Sequence, residues 1–356
     1  MCDNGGLPMK KRNGAPLAAV IIPAYNAEAT IERTVRSVLS QTMGDLLLLV
    51  VDDGSTDSTA AILSRLRQED GRLLPISAEN GGPARARNLA LDAVPAGTEY
   101  LMFSDADDLL APDALEYAIE NAQDADFVIM GFSILNPDGS RADYFEPAAL
   151  YTPETLGHAL GRLYKANLLN QVWGKLYRAE LIQKNGLRFE DWRWGEDRLF
   201  NFDCLEHAQR VAVLPECKYQ YIMYPGESLI TRYYDRKLDV CLRADERMEE
   251  LCRRFGVTED ADFRYMFMKS VFSCMTTLFS PKCALSPAEK RAEIRRTVSD
   301  ERVLARSRDA FGGIAVQTLC ALVRTKSVPL NYGAFCLVAR AGEAAPRLFT
   351  KLKHKK

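Results

Sequence analysis

The sequence predicts an α/β protein with a mostly parallel sheet flanked by helices, extended at its C-terminus by helices alone. Three observations carry this. Residues 17–104 alternate between continuous apolar runs and helical periodicity, the pattern of parallel strands buried on both faces and covered by helices. A polar cluster follows each of the first four apolar runs. Beyond about residue 235 only helical periodicity continues.

The elements follow in order. "LAAVII" (17–22) is the first strand, and "AEATIERTVRSVLSQ" (27–41) sets Ile31, Val35, Val38 and Leu39 on one helical face. "LLLLVV" (46–51) is the second strand; "STAAILSRLRQ" (58–68) is a helix with Asp57 as its expected N-cap. "RLLPIS" (72–77), "PARARNLALDAV" (83–94) and "EYLMFS" (99–104) read as strand, helix and strand. "PDALEYAIENA" (112–122) is a helix with Pro in its first turn. "DFVIMGFSIL" (126–135) is a strand, with a turn at 136–140. "WGKLYRAELIQKNGLRF" (173–189) ends in a helix stopped by Gly186. "WGEDRLFNFDCLEHA" (194–208) is a helix, and 211–215 and 218–224 are two strands. Residues 235–255 and 262–279 are helical.

Composition narrows the class. The 356 residues exceed one small core. The hydrophobic fraction is 47%, the charged fraction 26% and the net charge −2, so no global field draws the chain to nucleic acid. Nine scattered cysteines form no CxxC pair and the three histidines lie apart, against a zinc site or a disulfide framework. Reduced, buried thiols in a cytoplasmic protein are expected. No stretch approaches the roughly 20 apolar residues that span a bilayer. The polar start lacks a signal-peptide core and is expected to be disordered.

Ligands of such sheets sit outside the carboxyl ends of the strands. There stand "PAYN" (23–26), "DDGSTD" (52–57), "AENGG" (78–82) and "SDADD" (104–108). Asp105, Asp107 and Asp108 crowd four positions after a buried strand. Helix capping accounts for one of them; a divalent cation, Mn²⁺ or Mg²⁺, accounts for all three and bridges to a diphosphate. A calcium loop counted from Asp105 fails, because Leu109 and Leu110 stand at its fifth and sixth positions. Asp53 suits a nucleobase imide N–H, or a plain turn. Tyr25 suits a base face. Arg85, Arg87 and Asn88 stand near the same edge, suited to a diphosphate or to solvent. Glu196 and Asp197 begin a helix, where they either cap it or take the proton of an attacking hydroxyl. The helix dipole there is expected to lower the carboxylate pKa. No G-x-G-x-x-G or phosphate-loop motif follows any strand.

Taken together, "AAVIIPAYNAEATIERTVRSVLSQT", "LLLVVDDGSTDST", "NGGPARARNLAL", "YLMFSDADDLLAPDAL" and "WGEDRLFNF" resemble the family 2 glycosyltransferases, over roughly 17–225. The resemblance implies a GT-A fold with a Rossmann-like sheet. It also implies an inverting transferase that uses a nucleotide-sugar donor, usually UDP-linked, and a divalent metal. On that pattern Asp105 and Asp107 form the D-x-D motif, with Asp108 beside it. The nucleotide side takes Pro23, Tyr25, Asn26, Asp52, Asp53, Asn80, Arg87, Asn88 and Ala106. Asp197, paired with Glu196, is the catalytic base. The 173–189 segment resembles members that build capsular, exopolysaccharide or cell-wall glycans, with Trp173, Lys175 and Trp194 toward a glycan or polyprenyl-linked acceptor.

The expected organisation is a lead at 1–15, a transferase domain at 16–235, a helical extension at 236–345 and a basic tail at 346–356. Arg347, Lys351, Lys353, Lys355 and Lys356 in that tail suit the anionic inner face of the cytoplasmic membrane, or merely solvent. A nucleotidyltransferase is the alternative enzyme, but it wants a Gly-rich basic loop that "PAYNAEAT" lacks. A non-catalytic nucleotide-sugar binding module is the alternative outside enzymes.

Overall fold

The computed structural model describes residues 14–224, 233–258, 261–308 and 312–344. The expected lead falls almost wholly outside these residues, and the basic tail entirely so. By contact density the chain divides into two units, 1–157 with 166–224, and 158–165 with 225–356.

The first unit is built on one sheet. Its strands are β1 (Ala18–Ala24), β2 (Leu46–Asp53), β3 (Leu73–Ala78), β4 (Tyr100–Phe103), β5 (Leu109–Leu110), β6 (Phe127–Leu135), β7 (Arg141–Tyr144), β8 (Ala149–Tyr151), β9 (Lys175–Arg178) and β10 (Val211–Ile222). Its helices are α1 (Ile31–Leu39), α2 (Thr59–Glu69), α3 (Pro83–Ala93), α4 (Ala114–Glu120), α6 (Ala179–Lys184) and α7 (Glu196–His207); α5 (Pro153–Lys165) is divided between the units. The strand order is β3-β2-β1-β4-β9-β6-β10-β5, with β7 on β6 and β8 on β10.

β1 to β4 pair in parallel, as their unbroken apolar runs require. Ala18, Ala19, Val20, Ile21 and Ile22 are all fully buried. Beyond β4 the sheet becomes mixed. β9 runs antiparallel to both β4 and β6, and β10 returns parallel to β6. The Gly186 stop of α6 is a Schellman turn: Leu187 N–H bonds Ile182 O at 3.0 Å and Gly186 N–H bonds Gln183 O at 3.3 Å.

Three local expectations change. The N-cap of α2 is Ser58; Asp57 instead accepts Thr59 N–H at 3.0 Å and Glu28 N–H at 3.0 Å, fastening the loop after β1. The two strands read at 211–215 and 218–224 are one, β10, carrying a bulge. Leu214 pairs with Met130, Cys217 with Gly131 and Tyr219 with Phe132, so extra residues loop out of β10 between these pairs. A side-chain carbon at Gly131 would lie 3.0 Å from Cys217 Sγ, Phe145 Cβ and Pro215 O, so the bulge sits against bare backbone. The strand β9, read only as the lead into a helix, lies in mid-sheet.

Helices of the second unit are α8 (Lys237–Arg254), α9 (Ala261–Thr277), α10 (Pro287–Ser299), α11 (Glu301–Arg306), α12 (Ile314–Arg324) and α13 (Val328–Ala344). A capping box of Ser286 and Glu289 starts α10. Asp245 on α8 is buried and paired with Arg302 and Arg306 of α11. Of the eight described cysteines none is in a disulfide and five are buried, in keeping with reduced thiols.

Candidate active site

The carboxyl edge of β1 to β4 is tied together before any ligand is considered. Asn26, at a left-handed φ of 47°, accepts Thr56 N–H at 2.8 Å and donates its own N–H to Ser55 Oγ at 2.9 Å. Asp52 accepts Ser55 N–H at 3.0 Å. Asp53 accepts Gly81 N–H and Gly82 N–H, one on each carboxylate oxygen and both at 2.8 Å, while Asn80 donates to Asp53 O at 3.0 Å. These bonds fix the end of β2 to the start of α3, whose Pro83 occupies the first turn. Pro23 lies within β1, opposite Val51. Tyr25, on the loop after β1, is 52% exposed.

α3 in turn aims Arg87. This side chain is buried, and its guanidinium joins three acids from two distant segments: Asp105 at 2.9 Å, Glu196 at 3.0 Å and Asp197 at 2.8 Å. It also lies over the Phe189 ring, 5.4 Å from the centroid. Burial opposes its charge, and the charges of Asp197, Asp105 and Glu196 outweigh that, holding Arg87 firmly protonated. Its Nε is buried without a hydrogen-bond partner. Asn88, one residue on, both donates to Phe189 O at 2.9 Å and accepts Phe189 N–H at 3.0 Å, so it fastens the chain leading to α7.

α7 presents Glu196 and Asp197 in its first turn after Gly195. Asp197 also accepts the backbone N–H of Val172. The expected lowering of its pKa by the helix dipole does not prevail. Burial, with the charges of Glu196 and Asp105, pushes the carboxyl up to about 8 against the pull of Arg87. Lys175 is buried, its ammonium donating to Trp173 O at 3.2 Å, and burial pushes it down to about 7 while Asp197's charge pulls it up. Trp173 is nearly buried too, stacked on Tyr219 at 4.4 Å. Trp194 lies beneath the Arg198 guanidinium at 5.2 Å.

The acid turn after β4 is held from its own backbone. Ala106 O accepts Thr34 Oγ1 at 3.0 Å, and Asp107 O accepts Arg33 at 2.8 Å and Tyr224 Oη at 3.2 Å. Asp105 and Asp107 are half-buried, whereas Asp108 is fully buried and bonded to Tyr219 and Ile222. Among the described residues no group of three or more His, Cys, Asp or Glu side chains is arranged to hold a metal ion. Two hard carboxylates nevertheless suit Mg²⁺ or Mn²⁺, which take one or two carboxylates and fill the rest of their shell with water and phosphate.

Arg33, Thr34, Phe189, Tyr219 and Tyr224 were not singled out from sequence. For Tyr219 a signal exists: a buried strand tyrosine needs a polar partner for its hydroxyl.

Residues 19–183 match the model of the family described as glycosyl transferase family 2. The uncharacterized glycosyltransferase EpsJ of Bacillus subtilis is 32% identical over 216 residues, covering 59% of this chain and 62% of EpsJ. The putative teichuronic acid biosynthesis glycosyltransferase TuaG of the same organism is 39% identical over 147 residues, 40% of this chain and 56% of TuaG. The chain thus aligns with less than two thirds of each. The structure of S. aureus TarS 1–349 in complex with UDP-GlcNAc superposes with a TM-score of 0.64 at 22% identity, covering 91% of this chain and 92% of that one, a likeness of fold. Residues 19–183 thus match glycosyl transferase family 2, and the curated relatives, themselves glycosyltransferases, agree with that match.

Proposed function

We propose that the chain is an inverting, metal-dependent glycosyltransferase. It would move a sugar from a nucleotide-sugar donor, UDP-linked, to a hydroxyl of a glycan or polyprenyl-linked acceptor in bacterial surface polysaccharide synthesis. One observation carries the reading. A single buried guanidinium, Arg87, joins the acid turn after β4 to the acid pair of α7. The likeness to TuaG, named for teichuronic acid biosynthesis, supports the substrate class, and TarS, solved with UDP-GlcNAc, supports the donor.

In this scheme Tyr25, Asn26, Asp52, Asp53 and Asn80 form the nucleotide end of the edge. Asp105 and Asp107 would hold Mn²⁺ or Mg²⁺, with Asp108 adjoining them. When bound, the cation supplies Lewis-acid stabilisation of charge on the leaving diphosphate, worth several kcal/mol. Asp197 takes the proton of the acceptor hydroxyl at its carboxylate. The raised pKa makes it a stronger base once ionised, and Arg87 and Val172 N–H keep the ionised form attainable. Glu196, Lys175 and Trp173 shape the ground behind it. The basic tail, outside the described residues, would dock on anionic lipid. No described helix is long and apolar enough to cross a membrane. Flotation with anionic vesicles, with and without 346–356, tests that part; equal flotation removes it.

The chemistry is tested by incubating the purified chain with UDP-sugars and Mn²⁺. Release of UDP, faster with acceptor, is expected. Formation of UTP and sugar 1-phosphate when pyrophosphate is added would indicate a nucleotidyltransferase, and tight binding without turnover a binding module. Either overturns the reading.

A further inference from the structure

The three acids of the turn are not equivalent. The Asp105 side chain is 32% exposed, and Asp107 is half-buried. Asp108 is 0% exposed and both its oxygens are engaged: Oδ2 accepts Tyr219 Oη at 2.7 Å and Oδ1 accepts Ile222 N–H at 2.9 Å. A carboxylate surrounded by protein and already bonded from β10 is badly placed to face a cation and a diphosphate.

Tyr219 does more than satisfy Asp108. Its oxygen accepts Asp105 N–H at 3.1 Å and lies 3.4 Å from Ser104 Oγ. One hydroxyl therefore grips both ends of the turn, the backbone at Asp105 and the side chain at Asp108. The Tyr219 ring is itself fixed, fully buried and stacked at 6° on Trp173. Ring and carboxylate together hold the intervening residues in one shape. In that shape the turn puts the Asp105 carboxylate on Arg87 and keeps the Asp107 side chain half-exposed.

We propose that Tyr219 and Asp108 form a clamp that shapes the acid turn for a divalent cation and diphosphate, with Asp108 a positioning residue rather than a third ligand. This rests on the functional reading above. Groups that orient metal ligands typically set metal affinity by about 10- to 100-fold.

The test is calorimetric titration of the full chain with Mn²⁺ in the presence of UDP, and with UDP in EDTA. Asp107→Ala should abolish Mn²⁺ binding. Tyr219→Phe keeps the ring and its stack but loses the grip, so Mn²⁺ affinity should fall about tenfold, with UDP affinity in EDTA unchanged. A general loss of packing would instead lower both. Asp108→Asn can still accept Ile222 N–H and pair with Tyr219, so it should stay within about threefold of the parent, well short of the tenfold second-shell loss. Wild-type Mn²⁺ affinity in Tyr219→Phe overturns the clamp. Asp108→Asn falling to the level of Asp107→Ala makes Asp108 a ligand and overturns its assigned role. A wild-type chain that binds no Mn²⁺ with UDP removes the functional reading, and the clamp with it.

Discussion

The acid turn after β4 and the acid pair that opens α7 use the same side chains and share one arginine, yet they are built oppositely. The turn is pinned by its backbone to α1, to Tyr219 of β10 and to Tyr224 just beyond it, and two of its carboxylates keep partial access to solvent. The pair at a helix start is more enclosed: Glu196 is 6% exposed, and the Asp197 side chain, 18% exposed against 32% for Asp105, has its carboxyl pushed up to about 8. Access leaves charge available to a cation; burial raises proton affinity. In the proposed scheme, environment rather than residue type divides the roles.

The sharpest way to break this division is to neutralise one member of each region. Asp197→Asn should lower turnover by roughly 10²- to 10⁴-fold, the usual worth of a general base, while Mn²⁺-dependent UDP binding stays at the parental level. Asp107→Ala should lose both. Calorimetry beside UDP-release kinetics reads the split, and equal loss of UDP binding in the two variants would erase the distinction.

Arg87→Met attacks the bond between the regions. Removing one partner of a buried ion cluster typically costs about 3–5 kcal/mol, so the melting temperature should fall. In the parent, kcat/KM should rise as pH climbs through about 8, where Asp197 ionises. Arg87 pulls that value down, so its loss should move the limb to higher pH. A limb that does not move would place the titrating group elsewhere.

Lys175→Met is read in stability alone. The folded lysine titrates at about 7, against 10.5 when unperturbed. Between those values the unfolded chain binds a proton that the folded chain does not, so wild-type stability rises with pH across the window. The Met variant lacks this slope. Urea midpoints should therefore favour it most near pH 7, the gap closing toward pH 10; parallel curves would deny that the lysine is held neutral.

The half of the sheet that carries β1 to β4 was legible because each strand is a continuous apolar run and each intervening helix has a buried stripe. β5, β7, β8 and β9 span two to four residues each. Their strand character comes from partners, not from their own periodicity. The same limit governs the site. Acids at strand ends announce themselves, but Arg87 meets Glu196 across 109 residues and Asp108 meets Tyr219 across 111. Nothing local in either stretch encodes the meeting. From sequence Arg87 suits a diphosphate or solvent and Asp108 stands beside a metal; in the structure Arg87 also bonds three acids, and Asp108 bonds Tyr219 and Ile222.

The bulge in β10 gives a remote residue leverage over those acids. Tyr219 faces Asp108 only because the looped-out residues before it return the strand to the right phase, and the loop rests on the bare backbone of Gly131. A methyl group there would force Pro215 and Cys217 to give way by a few tenths of an ångström, or the strand to slip. In a pleated strand a slip of one residue exchanges the two faces, so Gly131→Ala would act like a mis-set vernier, read out several residues downstream at a turn it never touches.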